Sequence, residues 1–386
     1  MSLSNTVILP GQTIGIIGGG QLGRMMALAA KAMGFRIAVL DPESACPCGQ
    51  VADLQIVGKY DDLNAMKQLA ELSDVITYEF ENIDAETLSW LCENANVPQG
   101  MNLLAVTQNR ITEKASIVDA GLDVVPYAPV ETVEQFYANI EKLGFPSVLK
   151  TATGGYDGKG QVVLNKVDDL YEGIALLDAG PCVLEKWLPF EKEISVIVTR
   201  KACGEMTVFP VAENVHHQNI LHKTIVPARV SPALSDKAIQ AAKQIAEQFH
   251  LVGTLAVEMF VTNDRKIYIN ELAPRPHNSG HFTINACETS QFEQHIRAVC
   301  NWPLGSTELL KPAVMVNILG EHMERLISEI PALTGWKIHL YGKKEAREKR
   351  KMGHVTLMTE SMESSLAVID SHPIWKTVKE KIGGLQ

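Results

Sequence analysis

The chain has 386 residues, 46% of them hydrophobic and 21% charged, with a formal net charge of −10. That length exceeds one ordinary core and points to two to four domains of ~100–200 residues each, while the acidic balance argues against a nucleic-acid or acidic-membrane partner, which requires a basic footprint. No apolar run is long enough to span a bilayer, and the start, MSLSNTVILPGQT, lacks the charged and apolar segments of a signal peptide, so the cytoplasm is the expected compartment.

Residues 13–17 (TIGII) run into GGGQLG and MMALAAKAMG, which reads as strand, tight turn and helix, and IAVLD at 37–41 is the next strand. KQLAEL, DVITYEF and AETLSWLCENA continue the alternation to about residue 97, where NVPQG breaks it, so residues 1–108 are expected to form a Rossmann-like parallel sheet wrapped by helices. The turn satisfies Gly18-x-Gly20-x-x-Gly23, with Asp41 placed where a ribose-binding acid lies in a dinucleotide site. The rival reading is a helix N-terminus that holds another phosphate, or a turn that merely packs tightly. It is preferred because the rest of the chain offers a better nucleotide site. Of the seven cysteines only Cys46 and Cys48 lie close together, and with no second pair at zinc-like spacing they read as reduced thiols.

Elements shorten between 109 and 190, as expected of a small lid domain. Its centre is FPSVLKTATGGYDGKGQ: an apolar strand ending in Lys150, then a turn of Gly154, Gly155, Gly158 and Gly160 carrying Lys159. Small residues let backbone N–H groups crowd against phosphate oxygens while the two lysines supply charge to a transferring group, so the expected ligand is a nucleoside triphosphate. The P-loop pattern GxxxxGK[ST] is absent from the chain. Downstream, Glu185-Lys186-Trp187-Leu188 offers a strand edge to an adenine, and Glu193 can accept ribose hydroxyls.

Residues 191–386 are expected to form a catalytic domain with a β-rich subdomain from about 312. Strands 253–261 and 266–272 flank Asn263-Asp264. Closing the hairpin there makes facing positions sum to 527, so Glu258 faces Ile269 and Glu271 lies diagonally beside Glu258 on the same face. Two adjacent carboxylates repel unless a cation sits between them, which suits a Mg²⁺ bridging phosphates; the alternative is a register off by one with one carboxylate solvated. LAPRPHNSGH then supplies Arg275, His277, Asn278 and His281 to a donor-rich loop fit for a phosphoryl group or small oxyanion. The cations of YGKKEAREKRKMGH (Lys343, Lys344, Arg347, Lys349, Arg350, Lys351) read as a phosphate pocket in an ordered loop.

In this order the parts resemble the ATP-grasp superfamily, which clamps ATP between two α+β domains, phosphorylates a carboxylate and lets an amine attack. More narrowly, GGGQLGRM, TYEFEN, TGGYDGKGQ, NELAPRPHNSGH and KRKMGH together resemble the N5-carboxyaminoimidazole ribonucleotide synthetases of bacterial purine synthesis, over residues 12 to about 358. The resemblance implies that Arg110, Lys150, residues 154–161 (with Tyr156, Asp157 and Gln161), Glu185 to Leu188, Glu193, His216, Asn270 and Glu271 surround ATP, with Glu258 and Glu271 on Mg²⁺. It implies that Gln21, Glu79, Tyr156, Asp157, Lys343 and Arg350 contact 5-aminoimidazole ribonucleotide (AIR). Lys150, Lys159 and Arg275 are expected to offset phosphate charge, His277 and Asn278 to lie near bicarbonate, and Asp157 to position the substrate amine. The resemblance further suggests a homodimer. Ala273 stands where many relatives carry a metal-binding asparagine, which leaves the ligands of a second metal open. The competing readings are a formate-dependent glycinamide ribonucleotide transformylase, a biotin carboxylase (usually longer), a nicotinamide-dependent dehydrogenase resting on the first glycine turn, and a non-catalytic nucleotide sensor.

Overall fold

The computed structural model describes residues 6–155 and 159–375. Strands β1 (Thr13–Ile17), β2 (Arg36–Asp41), β3 (Leu54–Val57) and β4 (Val75–Tyr78) form a parallel sheet in the order β3-β2-β1-β4. Near-continuous apolar runs build it because helices cover both faces. The helix Gln21–Ala32 and the helix Leu63–Leu72, the latter capped by the Asp62 carboxylate on the N–H groups of Asn64 and Ala65, bury Met26, Ala30, Met66 and Leu69. β3, of sequence LQIV, lies on the sheet edge.

A second, four-stranded antiparallel sheet contains β5 (Tyr127–Val130), β6 (Ser147–Thr151), β7 (Gln161–Leu164) and β8 (Cys182–Lys186), in the order β5-β8-β6-β7. Its inner face packs on the helix Val133–Leu143, whose Phe136 is buried against Leu149, Leu164 and Leu184.

The third sheet has nine strands: β9 (Phe190–Arg200), β10 (Met206–Val208), β11 (Ala212–His217), β12 (Ile220–Val226), β13 (Gly253–Thr262), β14 (Ile267–Ala273), β15 (Ala313–Leu319), β16 (Lys337–Leu340) and β17 (Lys351–Met358). Its main path runs β14-β13-β9-β11-β12-β15-β17-β16, with β10 pairing β9. The helix Pro232–Gln248 covers it through Ala238, Ala242 and Ile245. The hairpin β11–β12 is invisible to turn-residue rules: its two-residue loop is Gln218-Asn219, both at positive φ (50° and 64°), where Asn-Gly is the usual signal.

The structure corrects the expected β13–β14 register. The loop has three residues, closed by Thr262 N–H on the Lys266 carbonyl with Arg265 at φ 62°, rather than two. A bulge between Glu258 and Met259 then adds a further shift, leaving Asn270 unopposed, so Glu258 faces Glu271 rather than Ile269. The carboxylates are therefore direct cross-strand neighbours, closer than the diagonal arrangement expected.

Candidate active site

Lys150, the last residue but one of β6, stands next to the glycine turn because Thr151 N–H closes that turn on the Gly160 carbonyl at 2.9 Å, with Gly154 and Gly160 at φ 78° and 70°. A Cβ at Gly160 would lie 2.7 Å from Thr151 Oγ1, so the turn cannot carry a side chain there. Gln161 opens β7 opposite Lys150. Across β8, Glu185 turns its carboxylate inward, where Lys150 Nζ meets one oxygen at 2.8 Å and Lys114 Nζ the other at 3.0 Å. Burial opposes ionisation of Glu185, but Lys150 and Lys114 outweigh it and hold the carboxyl at about 2. Lys186 and Trp187 are exposed and Leu188 half-buried on the connector to β9. Tyr156, Asp157 and Gly158 lie outside the described residues, while Lys159 is described and stands at the turn.

Arg110 binds both halves of this pocket: one guanidinium nitrogen is 3.4 Å from Glu271 Oε2 and another 3.3 Å from the Gly155 carbonyl. Glu258, opposite Glu271, has its carboxyl raised by burial and then by the Glu271 charge. His277 Nδ1 lies 3.6 Å from Glu258 Oε1 and 2.9 Å from Ser279 Oγ, and burial followed by nearby cations keeps its imidazole neutral. His216 Nδ1 is 2.6 Å from Glu193 Oε2; burial disfavours its protonation, but this hydrogen bond outweighs it. Ala273, on edge strand β14, is buried and faces Ala256 of β13. Asn278 is buried, and its amide exchanges two hydrogen bonds with Asn317 (3.0 and 2.7 Å), so it faces the sheet rather than the cleft. His281 is fully buried against Gln291 and the rings of Phe292 and His354.

The first glycine turn is filled by the protein's own carboxylates. Glu79, at the end of β4, accepts the N–H groups of Gly20 and Gly23, the latter at 2.8 Å, and Asp41 accepts Gly19 N–H at 2.7 Å and the Tyr60 hydroxyl at 2.7 Å. A dinucleotide phosphate and ribose need those same donors and that same acid, which removes the physical basis of the dehydrogenase reading. Cys46 and Cys48 are buried beneath the turn, Cys46 Sγ accepting Gly49 N–H.

Gln21 starts the helix on that turn, and the basic loop after β16 comes down beside it. Gln50 donates to the Gly342 carbonyl at 2.7 Å, Lys344 to the Ser44 carbonyl at 3.1 Å, and Arg24 reaches Gln50 at 3.2 Å. Lys343 is held over the Tyr341 ring and on the Lys351 carbonyl, and Arg350 on the Glu345 carbonyl. Arg275 pairs with Glu81 at 3.0 Å, so the 274–281 loop touches this region at one end and the glutamate pair at the other.

Sequence reasoning missed the residues beneath the loop. Gln291 takes His277 N–H and donates to the His277 carbonyl, pinning the loop by both backbone groups (2.9 and 2.7 Å). Ser195 bridges Asn214 and Ser279, and Glu113 accepts Leu272 N–H at 2.7 Å; burial, then Glu271, pushes the Glu113 carboxyl up to about 8. The available signal was a lone polar residue inside an apolar run, as with Ser195 in EISVIV and Asn317 in VMVNIL.

Comparison with known proteins agrees with this geometry. Residues 11–108 match the ribonucleotide synthetase preATP-grasp domain, 115–292 the ATP-grasp domain, and 313–367 the phosphoribosylaminoimidazole carboxylase C-terminal domain. The N5-carboxyaminoimidazole ribonucleotide synthase of Bacillus subtilis (strain 168) is 53% identical over 358 residues, 93% of this chain and 94% of that protein. The solved ADP complex of an N5-carboxyaminoimidazole ribonucleotide synthetase is 62% identical, with TM-score 0.95 over 96% of this chain and 99% of that one. The Aspergillus clavatus enzyme, solved with ADP and 5-aminoimidazole ribonucleotide, is 31% identical, with TM-score 0.88 over 95% and 98%. With its three sheets, its facing glutamates and these relatives, the chain belongs to the N5-carboxyaminoimidazole ribonucleotide synthase family of ATP-grasp enzymes.

Proposed function

We propose that this chain is an ATP-dependent carbon–nitrogen ligase that carboxylates AIR to N5-carboxyaminoimidazole ribonucleotide in purine biosynthesis, releasing ADP and phosphate. The observation that carries it is the span of the 274–281 loop, with His277 beside Glu258 and Arg275 beside Glu81, which sets a phosphoryl-transfer pocket against the Glu79 turn and the basic loop. Bicarbonate is a poor electrophile, so the γ-phosphoryl group passes to it, and the AIR amine then takes the carboxyl group as phosphate leaves. Lys150, Lys159, Arg110 and Arg275 offset phosphate charge in the first step. Two facing carboxylates, one raised by burial and by its neighbour, fit a divalent cation. Glu258 and Glu271 would hold Mg²⁺, which when bound supplies charge neutralisation on the transferred phosphate.

Neutral His277 orients bicarbonate as a hydrogen-bond partner, and Asn278 acts through Asn317 to fix the loop. AIR lies on Gln21 and Glu79, its phosphate toward Lys343 and Arg350, and Tyr156 and Asp157, which lie outside the described residues, are assigned to its amine. Adenine and ribose take the Glu185–Leu188 edge, Glu193 and His216. The intermediate hydrolyses readily, so the closed glycine turn must exclude water. No described helix is long and apolar enough to cross a membrane, and the reading carries with it a cytoplasmic site of action and a homodimer, which fractionation and light scattering test. The primary test is ADP release with Mg-ATP and bicarbonate, with and without AIR, beside a parallel mixture of formate and glycinamide ribonucleotide. Release that requires AIR supports the ligase; activity confined to the formate mixture transfers the assignment to the transformylase.

A further inference from the structure

Lys114 lies on the helix Arg110–Asp119 and is only 1% exposed, and among the described residues its one ion-pair partner is Glu185. Its ammonium also sits 5.9 Å from the Tyr127 ring centre, on the strand paired with Glu185. It is too deeply buried to belong to the cleft wall. Lys150 holds the other oxygen of the same carboxylate and is the more exposed lysine, 16% against 2% for the two side chains. Two lysines on one carboxylate leave one positive charge in excess, so one of them can depart without stranding a buried anion. A single lysine there would be locked, because its departure leaves an uncompensated carboxylate in a dry site beside incoming phosphates.

We propose that Lys114 is a positioning residue for nucleotide capture: it stays with Glu185 while Lys150 leaves that carboxylate for the nucleotide phosphates. The inference rests on the ATP-dependent reading above and adds to it how the phosphate-binding lysine is made available.

The test compares Lys114→Gln, which keeps a donor to Glu185 but loses the charge, with Lys114→Arg and with Lys114→Gln combined with Glu185→Gln. ADP affinity is measured by equilibrium titration, and KM for ATP and for AIR by ADP release. Lys114→Gln is expected to weaken ADP and raise the ATP KM by roughly 10- to 100-fold, with the AIR KM changed less than about twofold, and Lys114→Arg to stay near the parent. Removing the carboxylate in the double variant should recover most of the lost ADP affinity, which a merely structural role would not do. Unchanged ADP affinity in a folded Lys114→Gln, equal effects on both KM values, or a double variant weaker than the single would overturn the proposal. If Lys114→Gln does not fold, recovery of ADP binding in the double variant relative to Lys150→Gln decides instead, and equal loss in the two overturns it. A parent protein that neither binds nor releases ADP would refute the functional reading itself, a result distinct from any of these.

Discussion

Gly20→Ala isolates the first glycine turn from every other part of the site. Gly20 has φ −75° and ψ −158°, extended backbone that alanine adopts freely, so the substitution acts by sterics alone. The added Cβ would stand 2.6 Å from Glu79 Oε1, whereas ordinary contact begins near 3.4 Å. A retreat of that size carries Glu79 away from Gly20 N–H and takes its 2.8 Å bond from Gly23 N–H beyond hydrogen-bonding range. Loss of one to two hydrogen bonds to a charged group costs about 2–4 kcal/mol of stability. If Glu79 also holds AIR, misplacing it removes at least one such bond to substrate and raises the AIR KM by about tenfold or more. The proposed nucleotide contacts rest on β6, β8, β13 and β14, so the ATP KM should stay within about twofold. Steady-state ADP release with AIR varied at saturating ATP and bicarbonate, beside urea unfolding, checks both parts. A folded Gly20→Ala with parental AIR KM would refute the placement of AIR on Glu79, and parental stability would refute the anion-in-turn geometry.

Glu271→Gln should abolish turnover while leaving unfolding near parental, because it removes one of two repelling carboxylates; Mg²⁺-dependent activity surviving in this variant would sink the metal assignment. Lys343→Ala should raise the AIR KM at least about tenfold more than that of ATP, and equal effects would place the ribonucleotide phosphate elsewhere. Gln291→Leu removes both clamps on the His277 backbone and is expected to lower kcat by about tenfold or more at unchanged ATP affinity, read by single-turnover ADP formation. The part of the stability that rests on buried His295 should also fall with acid. Burial holds the His295 imidazole down at about 3, so its neutral form is favoured in the fold; the contribution is complete above the ordinary value of 6.5 and declines as pH drops from there toward 3. That amounts to about 2 kcal/mol lost by pH 5; buried His277, His281 and His354 act in the same sense and the raised carboxyls of Glu113 and Glu258 in the opposite one, so the His295 share is isolated by comparing the parent with His295→Gln. An unfolding free-energy difference between the parent and His295→Gln that is the same at pH 7.5 and pH 5 would contradict it.

Much of this molecule is local. Apolar runs bounded by glycine and proline placed the end of the strand Ser147–Thr151 to within one residue, and the opening strand, turn and helix followed from the glycines themselves. The identity of the chemistry was also local, since Lys150, the glycine turn and the two glutamates are residue types in a fixed order along the chain. What the sequence could not specify depends on partners far along it. The facing of Glu258 and Glu271 required a three-residue loop and a bulge, and a shift of one residue changes every pair in a hairpin. The filling of the first turn required Glu79, about sixty residues away, to reach amides that a phosphate could equally have taken. The buried pairing of Lys114 with Glu185, and the two-sided hold of Gln291 on His277, arise because burial makes each polar group find a partner, and only the assembled core decides which one is in reach.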